Sequence, residues 1–179
     1  MKRIGLGRSG LLSTRLAYGC MRILKTFETS RIDAAALTAA AKTIISAFEA
    51  GINHFDTADI YCAGESERAL GQALHDCSGM RDEVIIATKC GVHLPQSSSE
   101  VKTFDFSAAY IEQQAERSLA RLGIEYIDLY LLHRPDYLMA PDEVAAAWDR
   151  LHSAGKVRHF GVSNMSSAQW DGEAGGAIC

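Results

Sequence analysis

Four polar residues, at or just after the ends of apolar segments, could together deliver a proton to a carbonyl oxygen. Asp56, Lys89 and His133 each close a short apolar run, and Tyr61 lies in the loop that follows Asp56. A free phenol has a pKa of about 10, which is too high for an efficient acid at neutral pH. A neighbouring lysine cation favours the ionised phenol and lowers this pKa. A carboxylate beside the lysine keeps the ammonium charged, and a histidine can hydrogen-bond and polarise a carbonyl oxygen. These residue types together predict an acid site for carbonyl chemistry.

Each of these residues taken alone also has a structural interpretation. Asp56 could bond the backbone amides of the next turn, Lys89 could be a solvated cation, and His133 could be a hydrogen-bonded loop residue. A lysine that forms a Schiff base with its substrate is a further alternative, but Asp56 would keep Lys89 protonated and oppose attack by the amine. The catalytic interpretation therefore depends on the joint placement of the four groups.

The segments around these residues alternate between helical and strand patterns. Apolar residues recur at helical spacing, and three times such a segment is followed by a glycine and then by a short apolar run. The predicted helices are 33–50, 66–75, 107–122 and a helix that begins at Pro141 and stops at Gly155; the predicted strands are 15–19, 52–55, 84–87, 127–132 and 157–162. Alternating units with short joints predict an α/β fold with a parallel sheet. Doubly wound and (β/α)-barrel architectures both remain compatible with the pattern.

In a parallel barrel the carboxyl ends of all strands lie on one face, where active sites form. Asp56, Lys89 and His133 would converge there with Tyr61, and Ser163-Asn164 follows the last strand. The polar loop from Leu94 to Asp105 also follows a strand, at the position where binding loops occur in α/β folds.

A glycine pattern near the N-terminus matches a dinucleotide fingerprint but lacks its context. Residues 5–10 read Gly-Leu-Gly-Arg-Ser-Gly. The fingerprint needs a full strand before it and a helix after it, so that the helix N-terminus meets the pyrophosphate. Only four residues precede Gly5, and no helical period begins until about Asp33. A hairpin turn, with Ile4 and Leu6 pairing to Leu11 and Leu12, fits better.

Composition places the chain among soluble globular proteins. It has 179 residues, 47% hydrophobic and 22% charged, with a net charge of -4 and a sequence pI of about 5.8. That charge disfavours a nucleic-acid partner, and no window is apolar enough to span a membrane. The N-terminus has no apolar signal-peptide core, which predicts a cytoplasmic protein. The 5 cysteines form no C-x-x-C pair, so reduced thiols are expected and no metal site is predicted.

Four motifs around the polar residues resemble the aldo-keto reductase family. Residues 51–61 (Gly-Ile-Asn-His-Phe-Asp-Thr-Ala-Asp-Ile-Tyr), with Gly-Glu-Ser-Glu at 64–67 and Leu-Gly at 70–71, are similar to its signature. Residues 87–91 resemble its lysine strand, residues 131–136 its histidine strand, and residues 155–164 its nicotinamide-side strand. The resemblance covers roughly residues 3–170, and the likeness is strongest to bacterial oxidoreductases of the family.

The resemblance implies a (β/α)₈ barrel of the TIM type and NADPH-dependent reduction of aldehydes or ketones to alcohols. It implies that Tyr61 is the general acid, that Lys89 paired with Asp56 makes the phenol a better acid, and that His133 orients the carbonyl. The residues that it assigns to cofactor binding are Gly19, Met21, Asp56, Ser163 and Asn164. The hydride comes from the cofactor, and the protein supplies placement and a proton.

The chain departs from this family in length. A barrel needs about 250 residues, and the predicted strands amount to about five of eight β/α units. Phosphate sites in barrels form from the loops after strands seven and eight, which are missing here, as is the family's glutamine on the strand after Ser163-Asn164. We therefore expect a truncated or frame-shifted version of a full enzyme, with residues 1–170 as the N-terminal portion of the barrel and residues 171–179 as a disordered, Gly-rich, non-family tail.

Two functions remain open on these residues. The first is an NADPH-dependent reductase acting on a small carbonyl substrate. The second is a catalytically inactive fragment or a partner-binding barrel half, which could self-associate through its open sheet edges. The identity of the aldehyde or ketone cannot be read from the sequence.

Overall fold

The computed structural model describes residues 1–95, 97 and 99–166. The predicted alternation of strands and helices is confirmed over these residues. In chain order the elements are β1 (Arg3–Gly5), β2 (Leu12–Thr14), β3 (Tyr18–Gly19), α1 (Ala34–Glu49), β4 (His54–Asp56), α2 (Glu65–Asp76), α3 (Met80–Glu83), β5 (Ile85–Cys90), β6 (Val92–His93), β7 (Thr103–Phe104), α4 (Ala108–Leu122), β8 (Ile127–Leu132), α5 (Pro141–Ser153) and β9 (Val157–Val162).

Five strands form one parallel sheet whose spatial order follows the sequence. The order is β3-β4-β5-β8-β9, and every neighbouring pair is parallel. A doubly wound sheet reverses its strand order at a switch point, and this sheet has no reversal over the described residues. The architecture is therefore that of a (β/α) barrel, incomplete in that five of the eight strands of a full barrel are described.

Local sequence signals set the helix ends. The Asp33 carboxylate accepts a hydrogen bond from the amide of Ala36 and caps α1, while Ser107 Oγ accepts from the amide of Tyr110 and caps α4. At the other end of α4, Gly123 takes a left-handed conformation (φ 64°), which terminates a helix at little cost for glycine. The side-chain caps lie at the predicted starts, so the helices begin where the sequence indicates.

One face of the sheet is covered by helices and the other faces the barrel interior. Tyr130 and Leu132 are buried against α4 and α5, whereas Leu129 and Leu131 alternate with them and stay half-buried. Lys89 is the register partner of Leu131 and lies on the same, inner face. The core between sheet and helices thus fixes the strands, and the inner face carries the polar groups.

Two antiparallel hairpins flank the sheet. Residues 5–10 form the predicted hairpin turn between β1 and β2, with the amide of Leu6 bonded to Leu11 O at 3.0 Å, which is incompatible with the dinucleotide fingerprint. The second hairpin corrects a prediction: the segment from Leu94 to Asp105 is not a loop throughout, because β7 lies within it and pairs with β6. Two-residue strands carry too little alternation to be recognised in sequence.

Among the described residues, no helix has the length and apolar character needed to cross a membrane. Within the same ranges, no group of three or more His, Cys, Asp or Glu side chains could hold a metal ion. The predicted disordered tail, residues 171–179, lies outside the described residues.

Candidate active site

The carboxyl ends of β4, β5 and β8 bring three of the predicted residues together. Lys89 Nζ donates to Asp56 Oδ1 at 2.7 Å and to Thr57 O at 2.7 Å. Lys89 is only 5% exposed, so its ammonium relies on these two oxygens in place of water. Asp56 therefore binds the lysine, and the alternative in which it bonds the next turn's amides is not the arrangement found.

Tyr61 reaches the same cluster from the loop after β4. Its ring centroid lies 5.2 Å from Lys89 Nζ and 5.6 Å from the imidazole of His133, which meets it edge to face. The amide of Tyr61 donates to Ala58 O, and that of Asp59 donates to Lys89 O, so the loop is tied to the end of β5. The four residues predicted to converge thus lie together at the carboxyl end of the sheet.

The backbone directly after Tyr61 is strained. Cys62 and Ala63 adopt left-handed conformations with φ of 50° and 53°, followed by Gly64 at φ 92°. Residues with a Cβ rarely take this conformation, and they persist in it where their surroundings impose it. Such strain concentrates at functional sites, which agrees with the location of Tyr61 one residue earlier.

His133 is a neutral imidazole at physiological pH. Burial, followed by the positive charges of Lys89, Arg134 and Lys102, lowers the pKa of His133 from 6.5 to about 4. Its Nδ1 is buried and has no hydrogen-bond partner among the described residues. A neutral ring of this kind can exchange a hydrogen bond with a ligand but is not a proton source, which suits an orienting role.

Ser163 and Asn164 follow β9 at the same end of the sheet. Asn164 Nδ2 donates to His133 O at 3.0 Å and to Ser163 Oγ at 2.8 Å. Both amide protons of Asn164 are thus used internally, which leaves its Oδ1 as an acceptor and the Ser163 hydroxyl proton as a donor. A primary carboxamide, with one acceptor oxygen and two donor protons, complements that pair, so these residues fit a nicotinamide carboxamide.

Gly19 and Met21, the other residues assigned to the cofactor, lie at the end of β3. Gly19 is the register partner of Asp56, and a Cβ built on it would meet no atom within 4 Å. Met21 is 41% exposed. The structure brings Gly19 beside Asp56 in the sheet and leaves Met21 exposed in the short 3₁₀-helix Cys20–Arg22 that follows β3.

Sequence reasoning missed a second buried polar group behind this site. Glu67 is fully buried and is bonded by Thr88 and Arg121, and Asp59 lies close by. Burial, followed by the charge of Glu67, raises the pKa of Asp59 from 3.8 to about 7. A usable signal existed, because Glu67 shares helical spacing with Leu70 and Leu74 on a stripe that is otherwise apolar.

The cysteines in the described residues are free thiols: Cys20, Cys62, Cys77 and Cys90. Cys20 lies next to the site, and burial, aided by the Asp56 charge, raises its pKa to about 12. It is therefore an un-ionised, unreactive thiol at neutral pH. Cys179 lies outside the described residues.

The sequence of the chain is similar to those of known proteins. The model of the aldo/keto reductase family matches residues 15–171. A 6-dehydroglucose reductase from Novosphingobium aromaticivorans is 39% identical over 170 residues, covering 92% of this chain and 52% of that protein. A 6-dehydroglucose reductase from Agrobacterium fabrum is 38% identical over 174 residues, covering 96% and 56%.

Solved structures give the same result. A glycerol dehydrogenase from Gluconobacter oxydans superimposes with a TM-score of 0.81 at 32% identity, covering 95% of this chain and 50% of that chain. The holo form of an aldo-keto reductase from Bacillus halodurans has a TM-score of 0.80 at 32% identity, covering 99% and 55%. The chain thus spans about half the length of the relatives it matches.

Proposed function

The chain belongs to the aldo/keto reductase family, an oxidoreductase class, and from that premise we propose that its site reduces aldehydes or ketones to alcohols with NADPH. The observation that carries the proposal is the convergence of Asp56, Tyr61, Lys89 and His133 on one inner face. We propose the cytoplasm as its location, which the free thiols support.

Tyr61 is the proposed general acid. Its phenol delivers the proton to the carbonyl oxygen, and the nearby cation of Lys89 stabilises the phenolate that remains. Asp56 and Thr57 O hold the ammonium charged and in place, at 2.7 Å each. Neutral His133 binds the carbonyl oxygen and orients it, since its pKa is too low for it to compete as the acid.

The nicotinamide cofactor, when bound, supplies the hydride that reaches the carbonyl carbon. Ser163 and Asn164 would hold its carboxamide through the free hydroxyl proton and the free amide oxygen described above. Gly19, Met21 and Asp56 would line the same side of the site. Barrels bind phosphates at the loops after strands seven and eight, and no such strands are among the described residues.

The test is NADPH oxidation in the presence of a panel of aldehydes and ketones, comparing Tyr61→Phe with Tyr137→Phe. Tyr137 is 82% exposed and serves as the matched control. Loss of the acid should lower kcat by roughly 10²- to 10⁴-fold, whereas the control should leave it unchanged. Equal turnover by the wild type and Tyr61→Phe would contradict the mechanism.

Cofactor binding can be measured separately by thermal melts with and without NADPH. A ligand that binds only the folded state adds about 2.7 kcal/mol at a hundredfold excess over its dissociation constant. Tyr61→Phe should keep this shift, because the phenol is not among the groups that would hold the carboxamide. If NADPH does not change the melting temperature of the wild type, the cofactor assignment is contradicted.

A second candidate function is a non-enzymatic barrel half that associates with another chain. Among the described residues, the outer edge of β9 has no strand partner, and a cavity of about 770 Å³ lined by Leu129, Trp148 and Phe160 lies beside it. An unpaired edge next to apolar side chains favours association. Sedimentation over a range of concentrations tests this: a chain that stays monomeric, binds NADPH and turns over substrate excludes the alternative.

We also propose that residues 1–170 form one barrel portion and residues 171–179 a separate tail. Limited proteolysis should remove the tail and leave the melting temperature unchanged.

A further inference from the structure

A buried carboxylate links the strand of Lys89 to the loop of Tyr61. Glu67, in the first turn of α2, is fully buried. Its Oε1 accepts from Thr88 Oγ1 at 2.6 Å, and its Oε2 accepts from Arg121 Nε at 2.5 Å. Thr88 directly precedes Lys89 in β5, and Arg121 lies in the last turn of α4. One carboxylate therefore joins three elements behind the site.

Arg121 also covers the end of the strained turn. A Cβ at Gly64 would lie 2.6 Å from Arg121 Cδ and 2.8 Å from its Nε, so the arginine stem rests directly on the backbone there. Gly64 closes the left-handed run that begins at Cys62, one residue after Tyr61. The arginine thus contacts the turn and, through Glu67, the strand that carries the lysine.

We propose that Arg121, held by Glu67, is a positioning residue for Tyr61. Its guanidinium is fixed by Glu67 and by Ser118 Oγ at 3.2 Å, so its stem keeps the turn of residues 62–64 from relaxing. With the turn held, the phenol keeps its place beside Lys89. The inference rests on the proposed function, in which Tyr61 is the acid, and extends it to a group that lies behind the site.

A purely structural role for the pair makes different predictions. If Glu67 and Arg121 only joined α2 to α4, their loss would loosen both helices and the sheet together. If they hold the turn, the loss is local to residues 57–64, where three amides are bonded: Asp59 to Lys89 O, Tyr61 to Ala58 O, and Ala63 to Ile60 O. The exchange rates of those three amides therefore measure whether the turn is held in place.

The first experiment is hydrogen exchange followed by mass spectrometry on the wild type, Arg121→Met and Arg117→Met. Arg117 lies one turn earlier on α4, is exposed, and provides the matched control. Peptides covering 57–64 should exchange roughly tenfold faster in Arg121→Met only, while β8 keeps its protection. Equal exchange in the two variants, or faster exchange throughout β8 as well, overturns the proposal.

Glu67→Gln keeps the experiment decisive if Arg121→Met does not fold. Glutamine preserves the volume and can still accept from Thr88, but it loses the charge that holds Arg121. The same peptides should exchange faster, by a smaller factor than in Arg121→Met. A folded Glu67→Gln chain without this local change overturns the proposal.

The second experiment is a double-mutant cycle on turnover. Arg121→Lys should lower kcat with little change in KM, because lysine keeps the charge but lacks the Nε fork. In the Tyr61→Phe background it should cause no further loss, since its effect passes through the phenol. A full additive loss overturns the positioning role. Absence of reductase activity in the wild type contradicts the proposed function alone, because hydrogen exchange needs no turnover.

Discussion

The two ends of the parallel sheet each hold a carboxylate against cations, and they use it differently. At the carboxyl end, Asp56 bonds Lys89 through one oxygen, and its side chain remains 34% exposed. At the amino end, the side chain of Asp128 is 3% exposed and is enclosed by protein groups. The first carboxylate is accessible to solvent and ligand, and the second is sealed.

The cluster at the amino end is nearly saturated with partners. Asp128 Oδ2 accepts from the Ile86 amide at 3.0 Å and from Arg81 at 2.9 Å, and Oδ1 lies 3.4 Å from Arg158. Both guanidinium groups also lie over the Tyr126 ring, at 4.1 and 3.6 Å from its centroid. These contacts satisfy the Asp128 carboxylate, while Arg81 Nε is buried without a hydrogen-bond partner among the described residues.

The contrast between the two ends of the sheet indicates which end has groups available to react or to bind a ligand. At the carboxyl end, His133 Nδ1 is buried without a partner among the described residues, and the turn after Tyr61 is strained. Unsatisfied groups and strain cost stability and persist where a ligand or a reaction uses them. In barrels generally, residues at the carboxyl face act in catalysis and those at the amino face in stability.

The sharpest test of this contrast removes one cation from each end. Arg81→Met leaves buried Asp128 with the Ile86 amide and the longer contact to Arg158 as its one cation, and should cost about 3 kcal/mol or more of unfolding free energy. Lys89→Met leaves Asp56 able to reach water, and should cost about 1 kcal/mol or less. Urea unfolding of both variants measures the two values.

Arg68→Met is the control for loss of a surface cation. Arg68 pairs with Glu65 on α2 with its side chain 55% exposed, and its removal should change stability by about 0.5 kcal/mol at most. If Lys89→Met and Arg81→Met lower the unfolding free energy equally, the carboxylates at the two ends of the sheet depend equally on their cations.

Much of the fold could be predicted because local signals agree with it. The bounds of β8 and β9 match the apolar runs, and the ends of α4 match Ser107 and Gly123. The short elements α3 and β7 could not be predicted, because four or two residues carry no period. Local patterns left barrel and doubly wound sheets open, and the barrel that the family resemblance implied is confirmed by the strand order.

The candidate site likewise contains residues whose placement could be predicted and residues whose role could not. The placement of Asp56, Lys89 and His133 at strand ends could be predicted because each closes an apolar run. Asp128 and Glu67 could not be assigned a role, because each lies inside a patterned segment and its partners are distant in sequence. A charge within an apolar stripe marks a buried pair but does not identify the partner.

Replacement of Gly64 by alanine measures how tightly Arg121 packs against the strained turn after Tyr61. Gly64→Ala places a Cβ 2.6 Å from Arg121 Cδ at φ 92°, and should cost about 2 kcal/mol or more. Gly79→Ala has a similar φ of 81° with no atom within 4 Å, and should cost about 1 kcal/mol from conformation alone. The difference in thermal stability between the two variants isolates the contact with Arg121; equal costs would mean that the arginine moves aside freely.

Asp59, the carboxyl group behind the candidate active site, should make the stability of the chain depend on pH. Burial, followed by the charge of Glu67, raises its pKa from 3.8 to about 7, while Arg121 and Lys89 oppose that shift. Between these values the folded chain holds a proton that the unfolded chain has lost. The resulting contribution to stability is full below about pH 4 and is lost as the pH rises through 7.

Asp59→Asn removes this titration while keeping the shape of the side chain. Relative to Asp59→Asn, the wild type should lose about 1.4 kcal/mol of unfolding free energy between pH 6 and 8, because over those two pH units the folded chain holds on average about half a proton more than the unfolded chain. Asp149→Asn, at an exposed carboxylate of α5, is the control for the loss of a carboxylate charge. Urea unfolding at several pH values gives the unfolding free energy against pH for the wild type and the two variants. Subtracting one curve from another cancels the contribution of groups common to all three chains, including His133. A flat difference for Asp59→Asn would mean that Arg121 and Lys89 neutralise Asp59 fully, and the carboxyl end of the sheet would then be as well satisfied as the amino end.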